Sequence, residues 1–162
     1  MHHFNRREDR LFAENVDVTA LAERIGTPFY CYSTATLRQH YTRLKDAFAQ
    51  NEVTICYSVK ANSNLGVIAT LAELGSGADV VSEGELRRAL LSGIPAEKIV
   101  FSGVGKTEAE MTYALNADIA QFNVESRAEL EQLSEVAAKQ GKTARISLRV
   151  NPDIDAGTHE KI

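Results

Sequence analysis

Three things are scarce in this chain, and each scarcity removes a class of function. Cysteine occurs twice, at Cys31 and Cys56, each inside an apolar run and at no metal-binding or redox spacing, so both read as reduced, packed thiols. A basic excess is missing: the net charge is -4, the pI is near 5.6, and no stretch interleaves basic with aromatic residues. Nucleic acid is therefore not an expected partner. No apolar run approaches the roughly 18 residues that a membrane-spanning helix requires, and Met1 to Arg10 is polar where a signal peptide would be apolar. The expectation is a cytoplasmic protein with no membrane partner. The histidines, His2, His3, His40 and His159, lie scattered without ligand spacing, so no metal is expected.

What is present has the composition of an ordinary globular protein of about one domain, 44% hydrophobic and 25% charged over 162 residues. Residues 1 to 17 are polar with a few apolar anchors and could hold an edge strand. A short helix follows, with Leu21 and Ile25 on one face, Gly26 at its C-terminal cap and Pro28 barring continuation. Phe29 to Tyr32 reads as a short strand. Leu37, Tyr41, Leu44 and Phe48 then repeat at helical spacing.

From Val53 onward the pattern alternates. Strands are expected at Val53–Lys60, Gly77–Ser82, Ile99–Ser102, Ile119–Val124 and Ala144–Val150, and helices lie between them. Thr107 with Glu110, and Ser126 with Glu129, have the spacing of reciprocal helix-start boxes. Five strands alternating with four helices point to βα units on a parallel sheet, which either opens as a doubly wound sheet or curls toward a barrel. Closure of a barrel takes eight units and about 250 residues. The expectation is an α/β fold, a partial (β/α)8 TIM-type barrel of about five βα units, with an open edge where further strands belong.

Two glycine-rich stretches invite nucleotide-binding readings and fail them. Before Gly103-Val-Gly-Lys-Thr107, a phosphate loop needs a glycine where Val100 stands. After Gly75-Ser-Gly77, a dinucleotide fingerprint needs one where Val80 stands.

Lys60 is the residue that the pattern singles out for chemistry. It ends an apolar run, Ile55-Cys-Tyr-Ser-Val-Lys60, just before a helix. If it turns into the core, its ammonium loses solvation at a cost of several kcal/mol, and such a lysine becomes a nucleophile toward aldehydes. The plainer alternative is a lysine whose long stem carries its charge out to water. Asp79 and Arg149 also interrupt apolar strands near the C-terminal ends, where βα architectures place their ligands, and Glu85 lies just beyond. Asp79 and Arg149 are expected to be buried and to pair, as a structural bridge or as groups that tune Lys60.

Taken together, these segments resemble the fold-type III pyridoxal phosphate decarboxylases, in particular the branch acting on meso-diaminopimelate. The likeness is carried by Tyr57-Ser-Val-Lys60-Ala-Asn62-Ser-Asn64, Gly77-Ala-Asp79-Val-Val-Ser-Glu-Gly-Glu85-Leu86, Phe101-Ser-Gly-Val-Gly-Lys-Thr107, Phe122-Asn-Val-Glu-Ser126 and Ser147-Leu-Arg149-Val-Asn-Pro-Asp-Ile-Asp-Ala-Gly-Thr-His159. The resemblance implies pyridoxal 5'-phosphate as cofactor, Lys60 as the catalytic residue linked to its aldehyde, and Asp79, Glu85 and Arg149 around it. It implies decarboxylation of meso-2,6-diaminopimelate to L-lysine, the last step of lysine biosynthesis, in a homodimer. It also implies that residues 1–32 belong to a separate β-domain and that 33–162 form an incomplete cofactor-binding barrel. In that family the ring-stacking histidine and the glycine-rich phosphate loop come later than position 162. The chain is therefore expected to be an N-terminal portion, inactive alone. The alternative is a non-catalytic half-barrel that binds the cofactor or regulates a full-length relative.

Overall fold

The computed structural model describes residues 2–154 and Gly157. It begins with a three-stranded antiparallel sheet, β1 (Phe4–Arg7), β2 (Arg10–Ala13) and β3 (Val16–Asp17), in that order. Glu8 and Asp9 link β1 to β2 with φ of 48° and 63°, the backbone of a two-residue hairpin turn matched to strand twist. Helix α1 (Val18–Ile25) starts at once, because the Asp17 carboxylate accepts from the Thr19 and Ala20 amides.

The small sheet is latched onto the start of helix α2 (Thr34–Ala47). Glu14 accepts from Ser33 Oγ at 2.8 Å and from the Ala35 amide at 2.9 Å, and Thr36 Oγ1 lies 3.0 Å from both the His3 amide and its Nδ1. Glu14 thus supplies the start of α2 with an anion where its amides lack partners.

The larger layer is a five-stranded parallel sheet in sequential order: β4 (Cys56–Ser58), β5 (Gly77–Val80), β6 (Ile99–Phe101), β7 (Gln121–Val124) and β8 (Ile146–Leu148). Helices α3 (Leu65–Glu73), α4 (Glu83–Leu91), α5 (Glu108–Ala117) and α6 (Arg127–Lys139) connect successive strands. Strand order never reverses, so this is an arc of a TIM-type barrel and not a doubly wound sheet.

The core lies between the sheet and its helices. Phe101 and Phe122, on neighbouring strands, stack with centroids 6.0 Å apart and are buried together with Ile68, Leu86, Met111 and Leu133 from the helices. Each such side chain contributes about 1.5–3 kcal/mol by leaving water. A smaller cluster of Tyr41, Val67 and Leu71 joins α2 to α3.

Three local expectations are corrected. Phe29–Tyr32 forms no strand; Tyr30 is 89% exposed, and a strand persists only where a neighbour completes its ladder. The strand expected over Val53–Lys60 is confined to Cys56–Ser58, and Val59–Ala61 is a tight 3-10 turn. Of the two expected helix-start boxes, Thr107 and Glu110 make the full reciprocal pair, whereas at α6 only the Ser126 half forms. Glu129 is engaged elsewhere.

Candidate active site

The segment from Tyr57 to Asn64 is built by its own side chains. Tyr57 Oη donates to the Asn62 carbonyl at 3.1 Å, and the Asn62 amide closes the turn onto the Val59 carbonyl at 3.1 Å. Asn62 Oδ1 accepts from the Asn64 amide, and Asn64 Oδ1 accepts from the Gly66 amide to cap α3. Burial pushes the Tyr57 phenol above its ordinary range, which keeps it a neutral donor. This chain of bonds fixes the turn that carries Lys60 at the C-terminal end of β4.

The turn has a consequence for the lysine. Val59 takes the fully buried position and Lys60 is exposed, with no hydrogen bond or ion pair to its amine among the described residues. Of the two readings its sequence allows, the structure has the lysine whose stem carries its charge out to water. Because the strand ends at Ser58, the next turn places Val59 inside and Lys60 in solvent.

Beside Lys60 the sheet presents a polar face. Ser58 is in register with Asp79, whose carboxylate accepts from Ser58 Oγ at 3.3 Å and closely from Ser102 Oγ. Asn123 Nδ2 donates to Ser102 Oγ at 2.9 Å, and Gln121 Nε2 donates to Asn123 Oδ1 at 3.0 Å. Four adjacent strand ends are thereby joined by one hydrogen-bonded row. Burial, followed by the Asp79 charge, raises the Cys56 thiol above its ordinary range, so it stays protonated and unreactive.

Beyond the strand ends, the loops form a second network. Glu85 Oε2 accepts from the Val81 amide at 2.9 Å, closing the loop after β5. Glu125 Oε1 accepts from the Gly103 amide at 3.1 Å, and both Glu125 oxygens lie 3.1 Å from Arg149 Nη1. Arg149 is thus Glu125's partner, not Asp79's, and its side chain is 65% exposed. The expected buried Asp79–Arg149 bridge is not formed. Asp79 finds neighbouring hydroxyls across the sheet, whereas Arg149 follows the end of β8 and turns to the acid on the adjacent loop.

The network also contains two groups that sequence reasoning left aside. Lys106 Nζ donates to the Gly103 carbonyl at 2.7 Å, the Asn123 carbonyl at 2.8 Å and Glu129 Oε1 at 2.7 Å. Its three donors meet three acceptors, which is how a charge can be buried. The polar row also went unread, although a signal existed: Ser58, Asp79, Ser102 and Asn123 recur at spacings of 21, 23 and 21 residues. His159, which closes the last motif, lies outside the described residues.

The pyridoxal-binding domain of the pyridoxal-dependent decarboxylases matches residues 34–162 of this sequence. The chain belongs to this decarboxylase family. It is 55% identical to diaminopimelate decarboxylase of Vibrio cholerae, over the whole of this chain and 39% of that protein. It is similar to the crystal structure of diaminopimelate decarboxylase from Helicobacter pylori complexed with L-lysine, at 47% identity and a TM-score of 0.86, covering 90% of this chain and 37% of that one. The same enzyme from M. jannaschii in co-complex with L-lysine superposes with a TM-score of 0.90 at 41% identity, covering 98% and 38%. The chain thus spans about two-fifths of the length of the decarboxylases it matches.

The residues of this family member fit the aldehyde end of pyridoxal phosphate. A carbonyl carbon needs a free amine, and Lys60 presents an exposed one two residues after Ser58 of the polar row.

Proposed function

We propose that this chain supplies the cofactor-linking part of a diaminopimelate decarboxylase, with Lys60 as the residue joined to pyridoxal 5'-phosphate. One observation carries the reading: Lys60 is an exposed, unengaged amine at the C-terminal end of a parallel strand, on a turn braced by Tyr57, Asn62 and Asn64. Active sites of such βα folds gather at that end. When bound, pyridoxal phosphate draws electron density from the substrate α-carbon and so allows carbon dioxide to leave.

The chain's own residues supply position and charge. Lys60 Nζ would hold the aldehyde carbon of the cofactor. Asp79 keeps its carboxylate fixed by Ser58 and Ser102 and lines the polar face beside the linkage. Glu85 fixes the loop after β5 through the Val81 amide. Arg149, steadied by Glu125, offers a guanidinium to an anionic group of cofactor or substrate.

For the complete protein, the proposed reaction is meso-2,6-diaminopimelate to L-lysine and carbon dioxide, in a cytoplasmic homodimer serving lysine biosynthesis. The names of the relatives support the reaction, and the resemblance supports the dimer. No helix among the described residues is long and apolar enough to cross a membrane. Division at residue 32 into a β-domain segment and a barrel segment is supported by the antiparallel sheet of β1–β3 and by the family match from residue 34.

Borohydride trapping tests the assignment. Incubation with pyridoxal phosphate, reduction and peptide mapping should place the pyridoxyl group on Lys60, and Lys60→Ala should abolish it. Label persisting on Lys106 or another lysine would overturn the assignment. Carbon dioxide release from meso-diaminopimelate by the complete protein, with ornithine and arginine as controls, tests the substrate.

A further inference from the structure

We propose that Lys106 is a positioning residue for Arg149, acting through the loop after β6; the inference rests on the reading of Arg149 given above and deepens it. Lys106 and Glu129 are the most deeply buried ion pair among the described residues, with side chains 2% and 7% exposed. The other ion pairs each keep at least one partner well exposed. A buried pair of this kind contributes little net stability compared with an apolar replacement. Its distinguishing feature is what else the ammonium holds.

Lys106 Nζ grips the Gly103 carbonyl from one side, while the Gly103 amide, on the other side of that residue, donates to Glu125 Oε1. Gly103 sits at φ +92°, and a side chain there would crowd Val81 Cβ at 3.2 Å, so the peptide is held where only glycine fits. Lys106 also grips the Asn123 carbonyl, two residues before Glu125 on β7. The ammonium therefore fixes both the donor that orients Glu125 and the strand that delivers it, and Glu125 is the group that holds the exposed guanidinium of Arg149. Remove the ammonium and the Gly103 peptide is free to turn, so Glu125 loses one of its two partners. The buried end of this relay is charged because a neutral side chain could not hold three oxygens at once.

The test compares the full chain with Lys106→Met and with the double variant Lys106→Met/Glu129→Leu, which leaves no buried charge without a partner and should fold where the single variant does not. The expected result is hydrogen exchange at the Gly103 amide faster by about tenfold or more, with shifted NMR signals of the Arg149 guanidinium. The pyridoxal phosphate concentration for half-maximal trapping on Lys60 should rise severalfold. A folded double variant with wild-type Gly103 exchange, Arg149 signals or half-maximal labelling would overturn the proposal. Should neither variant fold, the relay is read from its other end. Glu125→Gln must then speed Gly103 exchange and shift the Lys106 ammonium signal, and an unresponsive Lys106 overturns the proposal. Failure of the functional reading is separate: it shows as wild-type chain that takes no label on Lys60, whatever the Lys106 variants do.

Discussion

The two faces of the five-stranded sheet differ in nearly every respect that matters for this protein. One face is apolar, packed by α3 to α6 and buried around Phe101 and Phe122. The other carries Ser58, Asp79, Ser102 and Asn123, joined by hydrogen bonds and only half-buried. Alternation along each strand separates the two within single residues: Ala78 and Val80 go to the core while Asp79, between them, goes to the polar row. The lesson is a division of labour: the helix-covered face supplies stability, and the polar face is free to hold groups that stability does not need.

The comparison can be broken most forcefully from the apolar side. Phe101→Ala removes a fully buried ring and its stacking partner's contact, and should cost about 3–5 kcal/mol in urea unfolding. A loss below about 1 kcal/mol would mean the helix-covered face is not the main source of stability.

Asp79→Ala sharpens the contrast. Two hydroxyls lose an acceptor at a half-buried site, so the stability cost should be about 0.5–1.5 kcal/mol, while cofactor trapping on Lys60 falls. A large stability loss with unchanged trapping would reverse the roles assigned to the two faces.

The smallest effect is expected away from both faces, at the latch between the N-terminal sheet and α2. The Ala35 amide, then the Ser33 hydroxyl, hold the Glu14 carboxyl below its ordinary range. A carboxylate depressed on folding adds stability that is complete above its unfolded value, about 4.3, and is lost as pH falls through the lower folded value. Glu14→Gln should therefore flatten the acid limb of a stability profile and leave its shape above that range unchanged. An acid limb identical in the two proteins would show that the latch contributes no pH dependence.

Much of this was legible in the sequence because its causes are local. The βα alternation, Gly26 at a helix end, and the Thr107–Glu110 box each depend on residues a few positions apart. The Tyr57–Asn64 motif is likewise braced mostly by its own side chains, so the turn that carries Lys60 is set locally. The apolar pattern around Arg149 misleads, because an apolar run there does not mean burial, and around Lys60 the same kind of pattern leaves burial and exposure both open. Both residues lie at or just past a strand end, where one turn of backbone exchanges core for solvent.

By itself, then, the sequence determined the succession of strands and helices, the helix starts, and the turn that presents Lys60, since periodicity and capping act within a few residues. Only the tertiary structure decided who pairs with whom. Asp79 meets Ser102 across 23 residues, Arg149 meets Glu125 across 24, and Lys106 meets Glu129 across 23. Such partners are set by strand register and by the loops that register brings together, and a charge takes whichever acceptor is then within reach.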